Sequence, residues 1–201
     1  HDFRQRFRCP RFLYVRAACL AGRFKVAVVV RAFCIAVIAS GVAILAGALL
    51  AAVRADEATY IAGDSHCVAL AQIANLPSVA RNGAPTREVV SQLRRLPAGA
   101  TVIVCAGTND AAARLAGFQT AVGAVLATAK AQNQKLIWIG PIRAPAYWWD
   151  GYSDQADTFL ALTVPNYVSM RAIGFPDKER SGFHLTPNGY ARLWAIVKGK
   201  L

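Results

Sequence analysis

The chain has 201 residues, 55% of them hydrophobic, with a mean hydropathy of +0.33 and a formal net charge of +12. That length suits one domain with an appendage, and five cysteines, an odd count, exclude a closed disulfide framework. The basic charge does not mark a nucleic-acid partner, because it crowds into the first quarter of the chain and forms no reader motif.

Residues 1–55 hold nine Lys/Arg against Asp2 alone, a local charge of +8, and residues 56–201 carry the remaining +4. Within the first part, Ala32 to Val53 runs 22 residues without a charge. As a helix that run spans about 33 Å, enough to cross the hydrocarbon core of a bilayer. A basic flank ahead of it predicts a cytoplasmic N-terminus and places everything beyond residue 55 outside the cytoplasm. Val53-Arg54-Ala55 is a fair small-residue cleavage site, which would release a chain from Asp56. The apolar run also exceeds a usual signal-peptide core and suits an uncleaved membrane anchor, so both fates stay open.

From residue 56 the pattern alternates strand and helix. Ala58 to Ala62 predicts a short buried strand ending at Gly63, and Ser65 to Asn75 a helix. Ser78 to Arg81 predicts another short strand, and Thr86 an N-cap for a helix from Arg87 to Leu96. Thr101 to Ala106 is a continuous apolar run, expected of a central strand covered on both faces. Asp110 is expected to cap one long Ala-rich helix, Ala111 to Gln132. Leu136 to Ile139 is the next strand. A loop with Tyr147, Trp148, Trp149 and Tyr152 then leads to a helix near Asp154 to Leu162, and Tyr167 to Met170 forms a weak strand. Thr186-Pro187 reads as N-cap and first residue of a closing helix through Val197. Repeated strand–helix units predict an α/β fold with a parallel sheet between two helical layers.

Three loops of this pattern carry chemistry. Gly63-Asp64-Ser65 joins a strand to a helix, which exposes the Ser65 hydroxyl beside the free N–H groups of a helix start. Alone it is weak, since a Ser at such a junction is common. Gly107-Thr108-Asn109-Asp110 follows the next core strand, where an Asn amide can serve an oxygen that gains charge during acyl transfer. His184 stands in Gly182-Phe183-His184-Leu185-Thr186-Pro187, near the C-terminus.

Together these blocks resemble those of the SGNH, or GDSL-type, serine hydrolase family, over about residues 58–197. The resemblance implies a flavodoxin-like three-layer α/β/α fold and ester hydrolysis through an acyl-serine. It makes Ser65 the nucleophile and His184 the base. The oxyanion hole it implies comprises the Ser65 N–H, the Asn109 amide and the N–H of Gly83, the last in a loosely matching Asn-Gly-Ala-Pro-Thr stretch.

One position departs from the family pattern. An Asp usually stands three residues before the histidine, and here that residue is Ser181. Either the site works as a Ser–His dyad steadied by a backbone carbonyl or the Ser181 hydroxyl, or Asp177 or Glu179 folds back to serve, or the domain binds without hydrolysing.

His66 follows the nucleophile, but adjacent helical residues diverge by about 100°, so it is expected in a supporting position or on the surface. Cys67 and Cys105 lie two residues from their motifs and read as buried thiols, with a disulfide open to them in an oxidising compartment. Beyond His1 the only histidines are His66 and His184, and no carboxylates cluster, so no metal or other cofactor is expected. Trp148 and Trp149 are candidate contacts for an acyl chain or a sugar ring, with packing beneath the loop as the plainer role. The expected partner is a small-molecule or carbohydrate ester, such as an O-acetyl group on an envelope polysaccharide. The rival functions are a carbohydrate O-acetyltransferase and a membrane-tethered binding module. Oligomeric state is not encoded in these patterns.

Overall fold

The computed structural model describes residues 58–201. The apolar run 32–53 and the candidate cleavage site therefore lie outside the described residues. Among those described, no helix is long and apolar enough to cross a membrane.

Four parallel strands form the sheet: β1 (Thr59–Gly63), β2 (Thr101–Cys105), β3 (Lys135–Ile139) and β4 (Tyr167–Val168), neighbours in that order. The segment expected to form a strand at Ser78 to Arg81 keeps a single bridge, Ser78 to Ile61. It still lies along β1, exchanging Ile61 N–H to Pro77 O, Val79 N–H to Ile61 O and Arg81 N–H to Gly63 O at 2.9–3.0 Å. Counting it, the second segment of the chain sits outside the first. That is the 2-1-3-4-5 order of flavodoxin-like sheets.

Alternation along the strands builds the two faces of the core. Val102 and Val104 of β2 face α2 (Thr86–Leu93), α4 (Phe118–Ala131) and α5 (Asp150–Thr163), where Leu93, Phe118, Val122 and Leu160 are buried. Ile103 and Cys105 face the other way, toward α1 (Ser65–Ala74) and α7 (Pro187–Lys198), with Leu70, Leu193 and Val197. A strand buried on both faces has no reason to alternate polar residues, which is why Thr101 to Ala106 reads as unbroken apolar sequence.

Three expected elements differ. The long Ala-rich helix is two, α3 (Thr108–Ala112) and α4, because Arg114, Leu115 and Gly117 adopt positive φ between them. Thr86 is the first residue of α2 rather than its cap, since its hydroxyl and N–H both donate to Asp110 Oδ2, at 2.7 and 2.9 Å. Asp110 is thereby drawn to the start of α2, where it takes up the first N–H of that helix, and does not cap a helix from Ala111. Helix α5 starts at Asp150 and takes in Tyr152, because Ala144 N–H and Arg171 both donate to the Asp150 carboxylate, at 2.7 and 2.6 Å. A short helix α6 (Met170–Ile173) follows β4, capped by the Ser169 hydroxyl.

Gly63 is fixed by backbone geometry. Its φ is +121°, and a Cβ there would lie 2.1 Å from the carbonyl oxygen of Cys105 on the neighbouring strand. Both penalties are borne by main chain that cannot give way. Gly63→Ala is expected to lower unfolding free energy by more than about 3 kcal/mol. A denaturant midpoint indistinguishable from wild type would refute this account of the turn.

Candidate active site

The turn at Gly63 is held from two sides. Gln92 of α2, buried, accepts from the Gly63 N–H at 2.5 Å and donates to the Gly63 carbonyl at 3.1 Å. The Asp64 N–H continues onto the Cys105 carbonyl at 3.0 Å. Asp64 then caps α1, its Oδ1 accepting from the His66 N–H at 2.9 Å. Burial pushes the Asp64 carboxyl up to about 7, against the pull of the His66 N–H, and the Asp110 carboxylate pushes the same way. Ser65 is thus the first residue of a helix whose entry is fixed at every backbone group.

A disulfide joins Cys67 in the first turn of α1 to Cys105 at the end of β2, with Cα atoms 5.3 Å apart. The sequence favours two free thiols; the crossing of α1 over β2 brings them together instead. The bond ties the helix that carries Ser65 to the strand that delivers the Gly107–Asp110 loop.

His184 comes from the long loop ahead of α7, 119 positions from Ser65, and its Nε2 stands 3.0 Å from Ser65 Oγ. Thr186 starts α7, its hydroxyl accepting from the Gly189 N–H at 3.2 Å, with Pro187 first in the helix. Asn109 is the second residue of α3, and one of its amide hydrogens goes to the Ala84 carbonyl at 3.1 Å, next to Gly83. Its Nδ2 keeps a second hydrogen for another acceptor. Ser65, Gly83, Asn109 and His184 all line one cavity of about 500 Å³, with Asn82 and Glu179 on its wall. A cavity of about 370 Å³ at the opposite ends of the strands, lined by Lys130, Gln134 and Lys135, contains none of these groups.

The residues weighed as partners for the imidazole are placed elsewhere. Ser181 Oγ accepts from the backbone N–H of His184 at 3.3 Å, and its carbonyl accepts from the Tyr147 hydroxyl at 2.6 Å. Asp177 pairs with Arg192 at 2.9 Å on the surface. Glu179 meets His184 through main chain, its N–H donating to the His184 carbonyl at 2.9 Å. Among the described residues no side chain hydrogen-bonds the second nitrogen of the ring, Nδ1.

Rings surround the histidine instead. The Phe183 ring lies 4.5 Å from that of His184, and the His66 ring 5.3 Å from it. His66 is buried, with Nδ1 3.1 Å from the Tyr190 hydroxyl. Burial, and after it the neighbouring His184, bring the His66 imidazole down to about 3, so it is uncharged. Trp149 is buried with Ala111 and Ala144, against Tyr147 and Phe183. Trp148 is 64% exposed, edge-on to Tyr152 and beneath the Arg114 guanidinium at 5.5 Å. Neither tryptophan lines the Ser65 cavity, whereas Phe183 does.

Sequence reasoning missed Gln92, the Thr86–Asp110 clamp and the Tyr147–Ser181 bond. A buried Gln in an amphipathic helix is a signal that could have pointed to the first. The other two depend on tertiary contacts that leave no local pattern.

No protein-family model matches the sequence, and no curated protein matches it. Solved structures do resemble it. A GDSL-like lipase from Bacteroides thetaiotaomicron is 16% identical, with 72% of this chain and 87% of that one covered at a TM-score of 0.57. A protein assigned to the lipolytic G-D-S-L family, from Desulfitobacterium hafniense, is 15% identical over 71% of this chain and 99% of its own, at 0.57. The C-terminal catalytic domain of peptidoglycan O-acetyltransferase A from Streptococcus pneumoniae, solved with a methylsulfonyl adduct, is 16% identical over 72% and 91%, at 0.54. The described part of this chain has the three-layer α/β/α fold of SGNH hydrolases.

Proposed function

We propose that this SGNH-fold chain is a serine esterase that works through an acyl-serine on Ser65, with an O-acetyl ester on an extracytoplasmic carbohydrate as its substrate. The observation that carries the reading is the 3.0 Å contact between Ser65 Oγ and His184 Nε2 at the mouth of a cavity shared with Asn109 and Gly83.

The chemistry follows from those positions. As Ser65 Oγ attacks the ester carbonyl, its proton passes to His184 Nε2. The carbonyl oxygen takes up negative charge, which the Ser65 N–H, the Gly83 N–H and the Asn109 amide would meet, a role supported by the cavity that these residues line together. His184 then hands the proton to the departing alcohol. Water repeats the sequence in reverse and frees the acid. No step needs a metal or another cofactor.

Labelling of the full chain by a fluorophosphonate at Ser65 tests the esterase reading, and a chain that resists it as fully as Ser65→Ala ends that reading. Acetate release from acetylated xylan or peptidoglycan tests the substrate; activity confined to long acyl chains excludes it. Asn109→Ala is expected to lower kcat by ~10²–10³ with p-nitrophenyl acetate. A loss under about threefold, against that scale, removes Asn109 from the oxyanion hole.

An extracytoplasmic setting is supported by the Cys67–Cys105 bond, since disulfides persist in oxidising compartments. The basic and apolar first 55 residues support export, with the apolar run cleaved off or kept as an anchor. Trp149 serves packing, and Trp148, exposed beside Tyr152 but outside the Ser65 cavity and beneath the Arg114 guanidinium, would meet only the outer part of a bound carbohydrate. A second reading, transfer of the acyl group to a sugar hydroxyl, is favoured by the likeness to an O-acetyltransferase domain and uses the same residues. Product analysis with a polysaccharide acceptor separates the two.

A further inference from the structure

We propose that His66 is a positioning residue for His184: an imidazole, held by the Tyr190 hydroxyl, that braces the base ring against Ser65. This rests on the acyl-serine reading above.

The argument begins with what His184 lacks. With one ring nitrogen on Ser65 and no hydrogen bond from any described side chain to the other, nothing polar fixes the rotation of its imidazole. The last side-chain torsion of a histidine is broad and roughly two-fold. A turn about it carries Nε2 away from the Ser65 hydroxyl, so the constraint must come from packing. Two rings supply it, Phe183 at 4.5 Å and His66 at 5.3 Å with planes tilted by 51°.

Phe183 is a chain neighbour and partly buried, whereas His66 comes from α1, directly after the nucleophile, and is 1% exposed. Ser65 and His66 leave the helix in different directions, so one residue meets the cavity while the next packs beneath the base. Tyr190, on the first turn of α7, pins the His66 ring through Nδ1 at 3.1 Å. The brace therefore joins the helix bearing the nucleophile to the segment bearing the base.

The identity of the residue is informative. His66 Nε2 is buried with no hydrogen-bond partner among the described residues, and an unsatisfied buried polar atom costs stability. A phenylalanine or leucine would fill the space without that cost. An imidazole kept there gains the Tyr190 bond, which fixes its plane, something a purely apolar side chain cannot offer. Its low basicity fits the same role, because an uncharged ring does not oppose the proton that His184 must accept. His66 exchanges no proton in the reaction; the proton moves only from Ser65 Oγ to His184 Nε2 and on to the leaving group.

The test measures second-order fluorophosphonate labelling of Ser65, and kcat and KM for p-nitrophenyl acetate, in the full chain, with folded fraction checked by circular dichroism. His66→Ala is expected to slow labelling and kcat by roughly 10²-fold with KM little changed, the penalty of a misplaced catalytic group. Tyr190→Phe, and His66→Phe, which keeps a ring but loses the bond, are each expected to cost about tenfold in kcat. The double variant His66→Ala/Tyr190→Phe is expected to be no slower than His66→Ala, because both act through one contact. A folded His66→Ala within twofold of wild type overturns the proposal, as does strict additivity in the cycle. If His66→Ala does not fold, the two phenylalanine variants decide: wild-type rates in both overturn it. Failure of the wild-type chain to label at all strikes the acyl-serine reading instead.

Discussion

Ser65→Ala is expected to abolish acyl transfer, lowering kcat by ~10⁴-fold or more and leaving only what the oxyanion donors and binding contribute. The two partners depend on each other. In the proposed reaction Ser65 Oγ is a weak nucleophile until His184 takes its proton, and His184 has nothing to activate once the hydroxyl is gone. His184→Ala is therefore expected to fall about as far, and the double variant no further than either single one, since residues acting as one unit are grossly non-additive. The 3.0 Å contact is the physical basis of that coupling. Turnover of p-nitrophenyl acetate by purified full-length variants measures it. A Ser65→Ala protein with more than a tenth of wild-type kcat would show that the reaction runs elsewhere.

The second large effect concerns the Cys67–Cys105 bond. It closes a separation of 38 residues, and a loop of that size is worth about 4 kcal/mol in the chain-entropy account. For a domain of this size each kcal/mol moves the melting temperature by roughly 2–4 °C. Cys67→Ala/Cys105→Ala, or reduction with dithiothreitol, is thus expected to lower the melting temperature by roughly 8–16 °C. The bond also spans from the Ser65 helix to the strand before Asn109, so kcat is expected to fall before the domain melts. Calorimetry with and without reductant reads the first effect. An unchanged melting curve on verified reduction would show that packing alone holds α1 to β2.

Much of this architecture was legible in the sequence, for physical reasons that differ by element. Val102 to Cys105 and Leu136 to Ile139 are buried on both sides, and such strands show themselves as unbroken apolar runs. The Thr186-Pro187 helix start is a local device and is read locally. The Ser78 segment was less clear because an edge pairing needs only alternate hydrogen bonds to β1, and its side chains are largely outside the core. The break after Ala112 was hidden because alanines favour helix on either side of it, and the left-handed turn at Arg114 and Leu115 is imposed by where α4 must pack. Gly63, Ser65, Asn109 and His184 each stood out by spacing and context. What steadies His184 did not, because it is made of rings and main chain drawn from α1, α7 and the loop between, none of which forms a motif.

The hydrogen bond from the Tyr147 hydroxyl to the Ser181 carbonyl ties the aromatic loop after β3 to the segment that bears the base. In the proposed esterase, losing this bond is expected to loosen the Ser181–His184 backbone, where Ser181 also accepts from the His184 N–H, and so to disturb the imidazole three residues further on. A Tyr147→Phe change, made outside the residues that line the Ser65 cavity, is then expected to register in turnover more than in affinity.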